Sequence, residues 1–264
     1  RILTVYGKLD RGNNFGGIQM TSELEKLVQM IQTSHRMVFF GGAGISTASG
    51  IPDFRSSTGL YQTESKEAYP AEVMLSHSFF MQHTEEFYRF YREKMLFPKA
   101  KPNAAHQALA ELEKRGKLAA VVTQNIDGLH QMAGSQKVYE IHGSVHRNYC
   151  QSCRAFYDLS YILKTQSIPY CEKCGDIVKP DVVLYEEALD DQTVKKAIDA
   201  IQNADLLIIG GTSLVVYPAA SFIHYFTGNS IVLMNKGQTA MDQQADIVIR
   251  DSIDKAFEQI MQKL

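Results

Sequence analysis

Met37-Val38-Phe39-Phe40-Gly41-Gly42-Ala43-Gly44-Ile45-Ser46-Thr47 runs from a short apolar segment straight into a glycine-rich turn. A continuous apolar run stopped by glycines suits a strand buried on both faces. Upstream, Leu24, Leu27, Val28 and Ile31 recur at helical spacing behind Ser22 and Glu25, a capping-box pair. Downstream, Ala105, Ala108, Leu109 and Leu112 form a helical stripe that Gly116 ends, and Leu118 to Val122 is a second apolar run. Further strands are expected at Val138 to Ile141, Val182 to Tyr185, Leu206 to Ile209, Ile231 to Met234 and Ile247 to Ile249. Helical stretches fall between several of them, at 190–203, 217–227 and 252–263. Buried strands alternating with helices predict an α/β fold built on a parallel sheet with helices on both faces.

The whole chain has 264 residues, 45% of them hydrophobic and 21% charged, a globular balance that excludes disordered, collagenous and coiled-coil classes. A formal charge of −2 leaves no broad positive field, so neither a nucleic acid nor an anionic membrane is an expected partner. No apolar run reaches the ~18 residues of a spanning helix, and no secretory signal pattern opens the chain. A cytoplasmic location with reduced thiols is the resulting expectation. Residues 1–19 carry no sustained period and read as a leader or tag outside the fold.

One polar, cysteine-bearing stretch, from about Tyr149 to Lys179, interrupts the alternation and reads as a small inserted module. Cys150 and Cys153, then Cys171 and Cys174, give C-x₂-C-x₁₇-C-x₂-C and use every cysteine in the chain. That spacing, in reduced surroundings, predicts a tetrahedral zinc site. Four thiolates leave no open position for substrate, so such a metal supports folding rather than chemistry.

The chemistry must therefore lie elsewhere. Glycines at the end of a strand let backbone approach phosphates, and a following helix N-terminus favours their charge. The turn departs from the dinucleotide fingerprint because Thr47 stands at the third glycine and no acidic residue closes a second strand about 20 residues on. By itself it would suit a sulfate or a mononucleotide as well as NAD. The next segment, Gly50-Ile51-Pro52-Asp53-Phe54-Arg55-Ser56, is a long loop in which Phe54 and Arg55 suit a lid over a flat, charged ligand. Thr123-Gln124-Asn125-Ile126-Asp127, Gly210-Gly211-Thr212-Ser213 and Asn235 each follow an apolar run. Polar groups at several strand ends converge on one nucleotide-sized crevice. Of eight histidines, His142 stands apart: it ends a strand at the seam with the cysteine module, where a general base would serve a cleft.

As a set, in this order and from Met20 to the C-terminus, these motifs resemble the sirtuins, Sir2-like NAD-dependent protein deacylases, of bacterial type. The resemblance implies a Rossmann-like NAD-binding domain of residues 20–55, 101–148 and 180–264. It also implies a small domain of residues 56–100 and 149–179, the first a helical insertion and the second a zinc ribbon. Ala43, Thr47, Phe54, Arg55, Gln124, Ile126, Asp127, His142, Thr212, Ser213, Asn235 and Asp254 would then contact NAD, a consumed co-substrate. His142 and Asn125 would be catalytic, and Val182, Val183, Tyr185, Leu214 and Val215 would hold an acyl-lysine peptide. The family usually has aromatic, Gly, Glu at 185–187, and here position 186 is Glu. Relatives that remove succinyl or malonyl groups carry Tyr-x-x-Arg in the insertion; the matching Tyr88-Arg89-Phe90-Tyr91 lacks the arginine, which implies a neutral acyl group, acetyl first. The expected activity is NAD-dependent lysine deacetylation releasing nicotinamide and O-acetyl-ADP-ribose. The alternatives are protein ADP-ribosyl transfer and a non-catalytic NAD sensor.

Overall fold

The computed structural model describes residues 20–54, 56, 59 and 69–264; Arg55 and residues 1–19, expected to be a leader or tag, lie outside the described residues. Helix α1 (Ser22–Thr33) is capped one residue earlier than the sequence pattern suggests, by Thr21, whose Oγ1 accepts from Leu24 N at 3.4 Å. It leads into β1 (Met37–Gly41), buried along its whole length, and two single 3₁₀ turns, Ala43–Ile45 and Thr47–Ser49. Then come α2 (Ala71–Met74), α3 (His77–Gln82), α4 (Thr84–Lys94) and α5 (Ala104–Lys114). The middle of the chain holds β2 (Leu118–Thr123), α6 (Leu129–Ala133), β3 (Val138–Glu140), β4 (Gly143–Cys150), β5 (Phe156–Tyr157), α7 (Leu159–Lys164) and β6 (Val178–Val182). The last part is α8 (Asp191–Gln202), β7 (Leu206–Gly210), a 3₁₀ helix at Ala219–Tyr225, β8 (Ser230–Met234), β9 (Ile247–Ile249) and α9 (Ile253–Met261).

Six strands form one parallel sheet in the order β3-β2-β1-β7-β8-β9. The chain first adds strands outward on one side of β1, then returns to add β7 on the other. That reversal opens a crevice at the carboxyl ends of β1 and β7, where ligands of open α/β sheets bind. One face of the sheet packs Phe39, Ile208 and Val232 against α1, α5 and α9; the other packs Phe40, Leu207 and Ile209 against α8 and the 3₁₀ helix. Period-two alternation of side chains sends neighbouring residues of each strand to opposite layers, so both must be apolar.

The expected strand from Val182 to Tyr185 does not join this sheet. The strand is β6, shifted N-terminally, and it pairs antiparallel with β4 in a three-stranded sheet of order β5-β4-β6, with Val182 opposite Gly143. Its burial alternates, as expected of a strand covered on one face only. Tyr185 instead forms an isolated bridge with Ser76. A third core joins Phe80, Phe87, Tyr88 and Tyr91 of the α3–α4 pair to Cys150, Cys171, Ile162 and Val178, so chain segments far apart in sequence share one interior. Arg147 spans the seam between the two sheets, its guanidinium 2.7 Å from Glu140 and 2.8 Å from Asp181. Among the described residues, no helix is long and apolar enough to cross a membrane.

Candidate active site

The glycine turn is braced against the next strand loop. Gly42 N donates to Gly210 O at 3.1 Å and Gly44 N to Gly211 O at 2.8 Å. A Cβ on Gly44 would lie 2.7 Å from Gly211 Cα, so only glycine lets the two turns close the floor of the crevice. No full helix follows the turn, in contrast to the dinucleotide fingerprint; the two 3₁₀ turns take its place.

The polar run after β2 folds over this floor. Gln124 Nε2 donates to Thr212 Oγ1 at 2.9 Å, linking two of the expected ligand-binding strand ends. Asn125 Nδ2 donates to Ser46 Oγ at 3.0 Å, and Ser46 Oγ donates to Asp127 Oδ2 at 2.7 Å. Leu129 N donates to the other carboxylate oxygen of Asp127 at 2.9 Å. Ser46 is fully buried and is the hinge of this chain, a role that its place inside the glycine motif does not single out.

His142 enters from the seam. Its Nδ1 lies 3.0 Å from the Gln124 carbonyl oxygen, which can only accept, so Nδ1 carries the proton and Nε2 keeps its lone pair. Burial lowers the imidazole pKa below its ordinary value, and the Gln124 carbonyl opposes this without reversing it. The ring is therefore a neutral base at pH 7. The glycine that follows is obligatory: Gly143 has φ 77°, and a Cβ there would stand 1.9 Å from Asp181 O.

These groups line one cleft of ≈ 780 Å³ between the parallel sheet and the third core. Ala43, Thr47 and Phe54 lie on it, as do Gln124, Asn125, Ile126 and Asp127. So do His142, Thr212, Ser213 and Asn235, together with Val182, Val183 and Tyr185. Three expected residues do not. Asp254 sits in the first turn of α9 and accepts from Ser252 Oγ, while Asp251, Ser252 and Ile253 face the cleft in its stead. Leu214 has φ 56° and turns into the sheet's apolar layer, and Val215 is 54% exposed away from the cleft; Val216 and Tyr217 line it instead. Lys236, His146 and Met95 also line it without any motif to announce them.

The rim opposite Val216 is tied down. Tyr185 N donates to Leu75 O and His77 N to Tyr185 O, both at 3.0 Å. Glu186, in the left-handed region at φ 75°, accepts from Ser78 N at 2.9 Å and Ser78 Oγ at 2.6 Å, which holds its carboxyl below the ordinary range. Glu187 meets Lys179 Nζ at 3.0 Å and His77 Nδ1 at 2.9 Å. Tyr88 and Tyr91, expected to bear on acyl choice, are both fully buried in the third core and do not line the cleft.

The four cysteine sulfurs all lie within 4.8 Å of one another, with Cys150 and Cys174 at 3.3 Å and Cys153 and Cys171 at 3.5 Å, and none is in a disulfide. A tetrahedron with Zn–S of about 2.3 Å has edges of about 3.8 Å, so four thiolates so grouped fit one zinc ion.

Residues 42–218, which hold the glycine turn, the polar run, His142 and the cysteine group, match the Sir2 family. The chain belongs to the Sir2 family. It is 59% identical over 243 residues to an NAD-dependent protein deacetylase of Clostridium acetobutylicum, covering 92% of this chain and 99% of that one. A Staphylococcus aureus protein of the same description is 41% identical over 242 residues, again 92% of this chain and 99% of the other. Among solved structures, Sir2 with a p53 peptide and NAD⁺ superimposes with a TM-score of 0.79 at 38% identity, covering 91% of this chain and 98% of that one. Sir2 with an inhibitor, 2′-O-acetyl-ADP-ribose and a deacetylated p53 peptide gives 0.79 at 37% identity, covering 90% and 98%. The Sir2 fold of this chain thus carries the crevice, His142 and the cysteine group together.

Proposed function

We propose that this chain is an NAD-dependent protein lysine deacetylase, converting acetyl-lysine, NAD and water to lysine, nicotinamide and O-acetyl-ADP-ribose. One observation carries the reading: His142 presents an unprotonated Nε2 to the cleft that the glycine turn floors, with Nδ1 committed to Gln124 O at 3.0 Å. The NAD and deacetylated peptide bound to Sir2, and the deacetylase names of the relatives, support it.

In this reading Ala43, Thr47, Phe54, Thr212, Ser213 and Asn235 bind the dinucleotide, Arg55 belongs to the same group, and Asp254, which does not line the cleft, does not. Ile126 and Asp127 hold the nicotinamide, with Asp127 ordered by Ser46 and Leu129 N. Val182, Val183 and Tyr185 on one side, and Val216 and Tyr217 on the other in place of Leu214 and Val215, flank an extended acetyl-lysine peptide. Loss of nicotinamide develops positive charge on the ribose carbon, as in glycoside cleavage. The amide oxygen is a weak nucleophile, so it must be held against that carbon in a water-poor channel. Asn125 orders the ribose hydroxyls or a water beside them. His142 Nε2 takes the proton of a ribose hydroxyl, freeing that oxygen to attack the acyl carbon. Cys150, Cys153, Cys171 and Cys174 would hold a zinc ion, which would supply a structural cross-link and take no part in these steps.

The division proposed with it is an NAD-binding body of residues 20–55, 101–148 and 180–264 and a smaller one of residues 56–100 and 149–179, whose interior, the third core, also takes in Val145, Val182 and Leu184 from the larger body. A cytoplasmic location belongs to the same proposal. Mass spectrometry of an acetyl-lysine peptide incubated with and without labelled NAD tests the activity. NAD-dependent loss of acetyl with labelled acetyl-ADP-ribose is expected; label transferred to protein instead would make the chain an ADP-ribosyltransferase, and no turnover would make it a sensor.

A further inference from the structure

We propose that Asn103 is a positioning residue that latches the dinucleotide loop, an inference that rests on the NAD-binding role given to that loop above. Asn103 is the N-cap of α5, the first helix after the helical insertion. One half-buried side chain does two jobs. Its Oδ1 accepts from Ala105 N at 3.0 Å, as a cap should. Its Nδ2 donates to Ile45 O at 2.8 Å and to Ser49 Oγ at 2.9 Å, reaching across to both 3₁₀ turns behind the glycines. The cap is secured in turn, because Asn103 N donates to Nδ1 of the buried His106 at 3.3 Å.

The position of the latch gives it leverage. The front of the loop is pinned by Gly42 N and Gly44 N on the next strand loop, and its middle by Ser46 on Asp127. Apart from the Asn125 bond to Ser46 Oγ, the other bonds of Ile45 to Ile51 among the described residues are made within the turns themselves, among them Ser49 N to Ser46 O, Gly50 N to Thr47 O and Ile51 N to Ser46 O. Among the described residues, Asn103 is the external tie on Ile45 O and Ser49. It joins residues 54 apart, where the chain leaves for the insertion and where it returns, so it closes the neck of that insertion. A loop held there keeps Ala43 and Thr47 in register with Gln124 and Thr212 across the crevice.

Asn103→Asp separates the two jobs. The carboxylate still caps α5, and an anion at a helix N-terminus is favourable, but it cannot donate to Ile45 O and turns that contact repulsive. Asn103→Ser also caps and is too short to reach Ile45. Both variants and the wild type are measured by amide exchange of residues 43–51, by NAD titration calorimetry, by thermal melting, and by KM for NAD and for peptide. The expected result is faster exchange confined to that loop and about tenfold weaker NAD binding, the scale of one to two lost hydrogen bonds. Peptide KM and melting temperature stay near wild type. Wild-type exchange and NAD affinity in Asn103→Asp would make Asn103 a cap alone and overturn the latch. Should the variants fold poorly, Ser49→Ala removes one partner without touching the cap, and unchanged loop exchange there overturns it equally. A faster loop in a protein whose wild type binds no NAD would leave the latch standing and refute the NAD-binding reading instead.

Discussion

His106 and His130 are fully buried with ring centroids 4.8 Å apart, and three of their four ring nitrogens have no hydrogen-bond partner. Burial drives the His106 pKa down to about 4, with the Asp127 charge opposing it, and drives that of His130 down to about 3, with His106 adding to the effect. An unfolded imidazole titrates near 6.5. Between pH 6.5 and pH 4 the unfolded chain therefore binds protons that the native pair refuses, so stability falls as the pH falls through this window. At pH 5 protonation of each unfolded histidine is worth about 2 kcal/mol, and the pair together about 4 kcal/mol. That is a large share of the roughly 5–15 kcal/mol that holds a domain folded. Urea unfolding at pH 7 and pH 5, for the wild type and His130→Phe, measures it. Cysteine and zinc chemistry also responds to acid, but equally in both proteins, so the difference between their losses isolates the histidine. His130→Phe should lose about 2 kcal/mol less than the wild type on acidification. Parallel losses would refute the assignment of a neutral, buried His130.

His142→Ala should leave the NAD dissociation constant within about threefold while turnover drops by at least about a hundredfold, the scale of general base catalysis; binding calorimetry beside product analysis checks both. Because burial holds the His142 pKa below the ordinary histidine value, the acid limb of the kcat/KM profile should fall below pH 6.5, and a limb above it would point to another base. Cys171→Ser should reduce bound zinc, measured by metal analysis, and lower the melting temperature, since Cys171 lies in the third core. A matched peptide pair should show faster deacetylation than desuccinylation, because position 91 holds a tyrosine enclosed in that core rather than an arginine.

The parallel sheet was legible because both of its faces are covered. Strands such as Phe39-Phe40 and Leu206 to Ile209 must be apolar at every position, and glycine must stand where two turns touch. The cysteine group was legible for a related reason: ligands to one metal must sit at knuckle spacing, and that spacing is a property of local chain geometry. Less was readable at the rim of the cleft. Val182 to Tyr185 looks like one more apolar strand, yet its pairing with β4 depends on a partner distant along the chain. Ser46 and Asn103 are ordinary polar residues until folding sets them against Asp127 and Ile45.

Sequence alone determined the α/β layering, the glycine turn, the cysteine quartet and the singular place of His142, since each is written in spacing or in a residue type that local backbone demands. Tertiary structure decided which nitrogen of His142 is free, that Tyr91 turns into a core, and that Val216 and Tyr217 rather than Leu214 and Val215 face the cleft. Those outcomes depend on contacts between segments tens of residues apart, and no local pattern encodes the direction in which a side chain will find its partner.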